Sequence, residues 1–135
     1  MKHHELILSA RDAEVLALML GERRRQHARE AAAAAALADL LVEARLVPHE
    51  KVPADRIAMN SRVTYREEPH GMRRSVVLVH PIEADAASGR ISVLSPVGLA
   101  LLGRTPEAVV TADVPGKALK LRILEASRNR ELLAA

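Results

Sequence analysis

"ISVLSPVGLALLG", residues 91–103, decides the fold. An alternating run from Ile91 to Leu94 meets Ser95-Pro96, and an uncharged, almost wholly apolar run then closes on Gly103. Ser95 is a natural helix N-cap, because its hydroxyl can accept one of the first backbone N–H groups. Pro96 suits the first helical position, where the missing N–H costs nothing. Gly103 suits the stop, where the chain turns left-handed. The stretch predicts a strand turning sharply into a two-turn helix that is apolar on every side. Val97 and Leu101 share one face of that helix, and Leu99 and Leu102 lie nearer the other. One sheet cannot cover all four, so a loop or a partner has to cover the rest.

Outward from this corner, the period is two. Ile57, Met59, Ser61, Val63 and Tyr65 alternate with Ala58, Asn60, Arg62 and Thr64, a strand followed by the turn "EEPHG". "MRRSVVLVHP", residues 72–81, reads as a second strand, "EADAASG" as a loop, and Ile91 to Leu94 as the third strand. Val109 to Asp113 is a fourth. Val114-Pro115-Gly116-Lys117 carries Pro-Gly, the central pair of a type II turn. Leu119, Leu121 and Ile123 alternate with Lys120 and Arg122 in a fifth strand with one wet face. The polar tail after Ala126 is expected to fray. About five antiparallel strands with one short helix on them is the architecture this pattern supports.

Residues 9–47 have a different texture, rich in Ala, Leu and Arg. Ser9-Ala10-Arg11-Asp12 resembles a capping box, with Asp where Glu is commoner. Val15, Leu16, Met19 and Leu20 fall at helical spacing before Gly21 interrupts. "ERRRQHARE", residues 22–30, is a charged junction. "AAAAAALADLLVEARLV" resumes helix, with Leu37, Leu40, Leu41 and Ala44 on one stripe, and Pro48 stops it. Two helices with facing stripes and a polar bend predict an antiparallel hairpin, a short coiled coil, over residues 1–50, with one long bent helix as the alternative. "PHEKVPAD", residues 48–55, is the linker, and residues 51–135 form the sheet domain. The fold class is α+β.

Composition narrows the function. The 135 residues suffice for one ordinary domain or a small domain with an appendage. Cysteine is absent, which removes disulfides, thiol nucleophiles and thiolate metal sites and suits a reducing cytoplasm. "MKHHELILSARD" has no apolar run fit for a signal peptide, and no stretch approaches the length of a membrane span. The net charge is +3, and there is no Trp or Phe and one Tyr, Tyr65, so base stacking is disfavoured. The six histidines lack zinc-like spacing. Glu83 and Asp85 share a loop without further ligands. Neither a nucleophile elbow nor a Walker-type glycine loop is present. The expectation is a protein without catalytic residues, metal or cofactor.

The corner also carries a resemblance. "ISVLSPVGLALLG" resembles the signature of the C-terminal domain of the bacterial GreA/GreB transcript-cleavage factors and their Rnk relatives, regulators of nucleoside diphosphate kinase. "EADAASGRIS", residues 83–92, looks like the segment that enters this strand in that superfamily. "MNSRVTYRE" at 59–67 and "PHEKVPADRIAMNS" at 48–61 are similar to the Rnk group in particular, and "SARDAEVLALML" at 9–20 looks like the opening of its hairpin. The resemblance implies a helical hairpin on an FKBP-like domain that docks on RNA polymerase near its secondary channel. It places Ser95, Pro96, Val97 and Leu99 in the docking region, with Asn60, Arg62 and Asp85 as neighbouring contacts, and the polymerase would cover the bare helix face.

One departure matters most. Cleavage factors carry an acidic pair at the hairpin tip that helps hold a catalytic Mg²⁺. Here the tip reads Glu22, Arg23, Arg24, Arg25, and guanidinium groups repel Mg²⁺. The first arm, roughly 12 to 15 residues, reaches only around 20 Å. The expectation is a non-catalytic polymerase-binding regulator that competes with Gre-type factors and affects nucleoside diphosphate kinase levels indirectly. The rival readings are a nucleic-acid-binding or other interaction module using the Arg-rich bend, with direct DNA or RNA contact secondary to polymerase binding, and a homodimer made through the apolar helix. Prolyl isomerase activity is disfavoured, because FKBP pockets are aromatic-lined and this chain offers only Tyr65.

Overall fold

The fold was obtained as a computed structural model, which describes residues 5–23, 31–114 and 116–128. The described chain runs β1 (Ile7–Ser9), α1 (Ala10–Arg23), α2 (Ala31–Glu43), β2 (Arg45–Val47), β3 (Ser61–Glu67), β4 (Arg73–Val79), β5 (Arg90–Ser92), α3 (Pro96–Leu101), β6 (Val109–Val114) and β7 (Lys117–Arg128). Short 3₁₀ turns at His49–Lys51, Pro81–Glu83 and Ala86–Ser88 fill the connections. No helix among the described residues is long and apolar enough to cross a membrane.

Both main helices are set by their apolar stripes. α1 buries Ala13, Leu16 and Met19, α2 buries Leu37 and Leu40, and the two helices pack against each other. Helix α1 runs through Gly21 to Arg23, so the glycine does not interrupt it. Ser9 caps it as the sequence implies, with the Asp12 N–H donating to Ser9 Oγ at 2.9 Å. The Asp12 carboxylate, however, turns away from the box and accepts the Met59 N–H at 3.1 Å. Helix α2 ends at Glu43, ahead of Pro48. Residues 45–47 are drawn into β2, which pairs in parallel with β1, and the Arg45 N–H donates to the Leu6 carbonyl at 2.7 Å.

The main sheet has five strands in the order β5-β4-β3-β7-β6. It is mixed rather than wholly antiparallel, because β5 runs parallel to β4. The turns between His80 and Gly89 carry the chain back to start β5 in that sense. Strand β3 begins at Ser61; Ile57–Asn60 form a turn instead, and Asn60 takes a left-handed φ of 71°. A register shift at Thr64/Tyr65 bulges the β3–β7 pair, and β7 stays paired to Arg128, opposite Ser61. Gly116 has φ 85°, the left-handed value expected of it, while Pro115 lies outside the described residues.

One core joins these parts. Val63, Tyr65, Val76, Leu78, Ala112, Leu121 and Ile123 from the sheet, Leu16, Met19, Leu37 and Leu40 from the helices, and Leu6, Leu8 and Leu101 belong to a single buried cluster. A fully buried Leu contributes about 1.5–3 kcal/mol. This cluster answers the problem of the helix without a wet face. Leu101 and Leu102 are 0% exposed, and Val97, Leu99 and Ala100 pack part-buried against the same core. Helix α3 lies on β6 and touches α2, while Leu6 and Leu8 close over Gly103. Of the two covers the sequence left open, a loop or a partner, the chain itself supplies the cover for Leu101 and Leu102, while Val97 and Leu99 stay half-buried. The sequence hid the part of this cover that comes from Leu6, Leu8 and α2, more than fifty positions away.

Candidate functional site

The Ser95–Pro96 corner is built from local hydrogen bonds. Ser95 Oγ accepts the Gly98 N–H at 3.1 Å and donates to the Ser92 carbonyl at 2.7 Å. The Ser92 hydroxyl accepts the Leu94 N–H at 3.0 Å, and the Ser95 N–H returns to the Ser92 carbonyl at 3.0 Å. Ser92 and Ser95 thus fix both sides of the bend. Gly98 is required for close approach, since a Cβ there would overlap the Ser92 carbonyl oxygen. With α3 seated in the core, Pro96 stands exposed at the apex.

Of the neighbouring residues singled out from sequence, Asn60 and Asp85 are tied by backbone bonds to the β4–β5 end of the sheet, whereas Arg62 lies on the sheet face opposite the core. The Asn60 N–H donates to the Leu78 carbonyl at 2.6 Å, and the Val93 N–H donates to the Val79 carbonyl at 2.9 Å. Asn60 and the start of the corner are therefore tied to consecutive residues at the end of β4. Arg62 pairs across with Val77, which is next to Arg90 of β5. Asp85 exchanges backbone hydrogen bonds with Arg90 at 2.8 and 3.0 Å, and its carboxylate caps the Ala86–Ser88 turn through the Ala87 N–H at 3.2 Å. Asn60, Arg62, Asp85 and Pro96 are exposed, and Ser95, Val97 and Leu99 are half-buried. The Arg90 guanidinium pairs with Glu83 at 3.6 Å, so this loop carries an ion pair rather than two free carboxylates.

Glu22 and Arg23 lie in the last turn of α1. Arg24 and Arg25 lie outside the described residues.

Two fixed points escape sequence reasoning. Arg56, 6% exposed, donates through Nη1 to the Glu5 carbonyl and, at 3.2 Å, to the Gly103 carbonyl. Beside it, the Ile57 N–H donates to the Arg104 carbonyl at 2.9 Å and the Gly103 N–H to the Ile57 carbonyl at 2.8 Å. These bonds knot the N-terminal segment, the linker and the end of α3. At the far edge, the Glu68 carboxylate accepts Arg66 Nε at 3.0 Å and Arg122 Nε at 3.1 Å. Desolvation pushes the Glu68 carboxyl up, but the two guanidinium hydrogen bonds outweigh it and hold the carboxyl below its ordinary value. No spacing in the sequence signals either cluster.

The geometry is that of a mixed sheet backed by a capped helix on a Ser-Pro corner held by its own hydrogen bonds. The family described as "Transcription elongation factor, GreA/GreB, C-term" matches residues 52–128, and the chain belongs to the GreA/GreB family. Among its relatives is the transcription elongation factor GreA of Flavobacterium johnsoniae, 34% identical over 95 residues, which covers 70% of this chain and 60% of that protein. GreA of Flavobacterium psychrophilum is 35% identical over 86 residues, covering 64% of this chain and 54% of that one. The chain thus spans 54–60% of the length of these two relatives. A solved structure, the prokaryotic transcription elongation factor GreA/GreB from Nitrosomonas europaea, superposes with a TM-score of 0.72 at 31% identity, covering 91% of this chain and 98% of that one.

Proposed function

We propose that this chain is a non-catalytic regulator that binds bacterial RNA polymerase near the secondary channel and competes there with Gre-type factors. One observation carries the reading: the family match spans the sheet domain, and within it the Ser-Pro corner is held rigid by side-chain hydrogen bonds while Pro96 stays exposed. A pre-organised corner loses little entropy on docking. Asn60 and Asp85 would serve as polar rim contacts beside it, and Arg62 as one reached around the sheet edge. Residues 51–135 form the docking domain, FKBP-like in architecture, and residues 1–50 a short helical hairpin directed at the channel.

The Rnk-type reading rests on sequence resemblance and on α1. That helix has 14 residues, about 21 Å of rise, and its last residues run Glu22, Arg23 into Arg24 and Arg25. A cationic end does not recruit Mg²⁺. The protein works in the cytoplasm, and its effect on nucleoside diphosphate kinase levels is indirect, through transcription. Photo-cross-linking from position 96 tests the assignment: a cross-link to core polymerase that an excess of Gre factor suppresses supports it. Cross-links that appear only from positions on α1 would overturn the docking role of the corner.

A further inference from the structure

The sheet has a second face, and that face is cationic. Side chains of Val63, Tyr65, Val76, Leu78, Leu121 and Ile123 enter the core. Their neighbours point the other way. Register then sets the pattern: Arg73, Arg66 and Arg122 are direct cross-strand partners, one row across β4, β3 and β7. Two residues along β3, Thr64 stands between Ser75 and Glu125, and its hydroxyl bonds the Ser75 hydroxyl at 2.9 Å. Two residues further, Arg62 stands between Val77 and Ser127. Lys120 extends the face along β7, opposite Thr111.

Like charges directly opposite one another destabilise a sheet. Glu68 relieves the row only in part, by clamping Arg66 and Arg122 through their Nε atoms. Both guanidinium groups keep their outer Nη edges, and the two side chains are 42% and 40% exposed. Arg62, Arg73 and Lys120 are exposed. Cations therefore stand about 4.8 Å apart across the row and about 6.8 Å from Arg122 to Lys120, with Arg62 four residues, about 14 Å, along β3 from Arg66.

We propose that this face binds the phosphodiester backbone of nucleic acid without sequence preference. Protein–protein interfaces need aromatic or apolar anchors at their centre. Between the arginines this face offers Thr64, Ser75, Ser127 and the exposed Glu125 carboxylate; its Val77 is buried, and Val109, opposite Arg122 on the edge strand, is exposed. Backbone binding needs only cations, and the guanidinium fork matches phosphate oxygens. Tyr65, the single aromatic residue of the chain, points into the core, so bases are not stacked. The site lies on the sheet rather than in the Arg-rich bend that the sequence alone nominates, and of the residues assigned to polymerase docking it shares only Arg62.

The test is fluorescence anisotropy with labelled duplex and single-stranded oligonucleotides of mixed sequence, against the full chain and two triple variants. One carries Arg62→Ser, Arg73→Ser and Lys120→Ser; the other carries Arg23→Ser, Arg24→Ser and Arg25→Ser. The sheet variant is expected to bind tenfold or more weakly at about 50 mM salt, and its log–log salt slope on duplex to shrink by about 2–3. The bend variant is expected to bind like the parent. Independently, amide shifts of the parent chain on titration are expected to cluster on β3, β4 and β7. Lack of saturable binding at low salt, loss confined to the bend variant, or displacement by polyglutamate as effective per charge as by DNA would each overturn the proposal.

Discussion

The Ser95 hydroxyl holds the Gly98 N–H at 3.1 Å, and Gly98 can reach it only because it has no Cβ to strike the Ser92 carbonyl. The capping residue and the glycine therefore make one device. Ser95→Ala removes the cap and is expected to cost about 1 kcal/mol. Gly98→Ala forces the backbone apart and is expected to cost about 3 kcal/mol. Urea midpoints at constant m-value measure both. Equal, small losses would mean that the corner relaxes freely.

Arg56 joins segments that lie far apart in the chain. Its guanidinium serves the Glu5 and Gly103 carbonyls from a buried position. Arg56→Ala strands those acceptors and is expected to cost about 2–4 kcal/mol. Hydrogen exchange should quicken first at residues 6–9, before the β3 and β4 amides. Uniform quickening across the sheet would contradict a local role for this residue.

Asp12 sets a pH dependence. Burial pushes its carboxyl above the ordinary 3.8, and this outweighs the lowering by the Met59 hydrogen bond and by His49, Arg11 and Arg128. Between 3.8 and the raised folded-state value, the native chain holds a proton that the unfolded chain has released. Stability from this group is thus fully present below 3.8 and is lost as pH rises through the folded value. Asp12→Asn keeps an acceptor for the Met59 N–H without the charge. Its stability relative to the parent is expected to climb across that window and level off above it. Asp12→Ala loses the acceptor and should be less stable than Asp12→Asn at every pH. A parent-minus-Asn difference that is flat from pH 3 to 7 would remove the argument.

Transcript cleavage is expected to be absent. Backtracked elongation complexes incubated with this protein and Mg²⁺ should keep their RNA length, while a Gre factor added alone shortens it. Shortening by this protein would show that the Arg-rich end of α1 does not bar the metal.

Local punctuation made much of the fold legible. Ser95, Pro96 and Gly103 each act within a few residues, and α3 forms as they dictate, between its Ser95 cap and a Gly103 with φ 80°. The stripe Leu37, Leu40, Leu41, Ala44 likewise packs inward. What stayed hidden is non-local. β1 and β2 have three residues each, too few for a period, and they meet only because the intervening helices fold back. The direction of β5 depends on the path of the loop before it, which no side-chain pattern encodes. Arg56 and Arg62 look alike in sequence, yet one is buried under Gly103 and the other faces outward. The members of the candidate site were readable as residue types beside a corner. That Asn60 and Val93 hang from adjacent carbonyls of β4 was not.

The most direct test of the central claim is binding of the purified chain to bacterial core RNA polymerase, with and without excess Gre factor, beside Pro96→Ala. The account predicts saturable binding that Gre factor displaces and that Pro96→Ala weakens while its urea midpoint shows it folded. Absence of binding at low salt, or binding indifferent to both competitor and substitution, would contradict it.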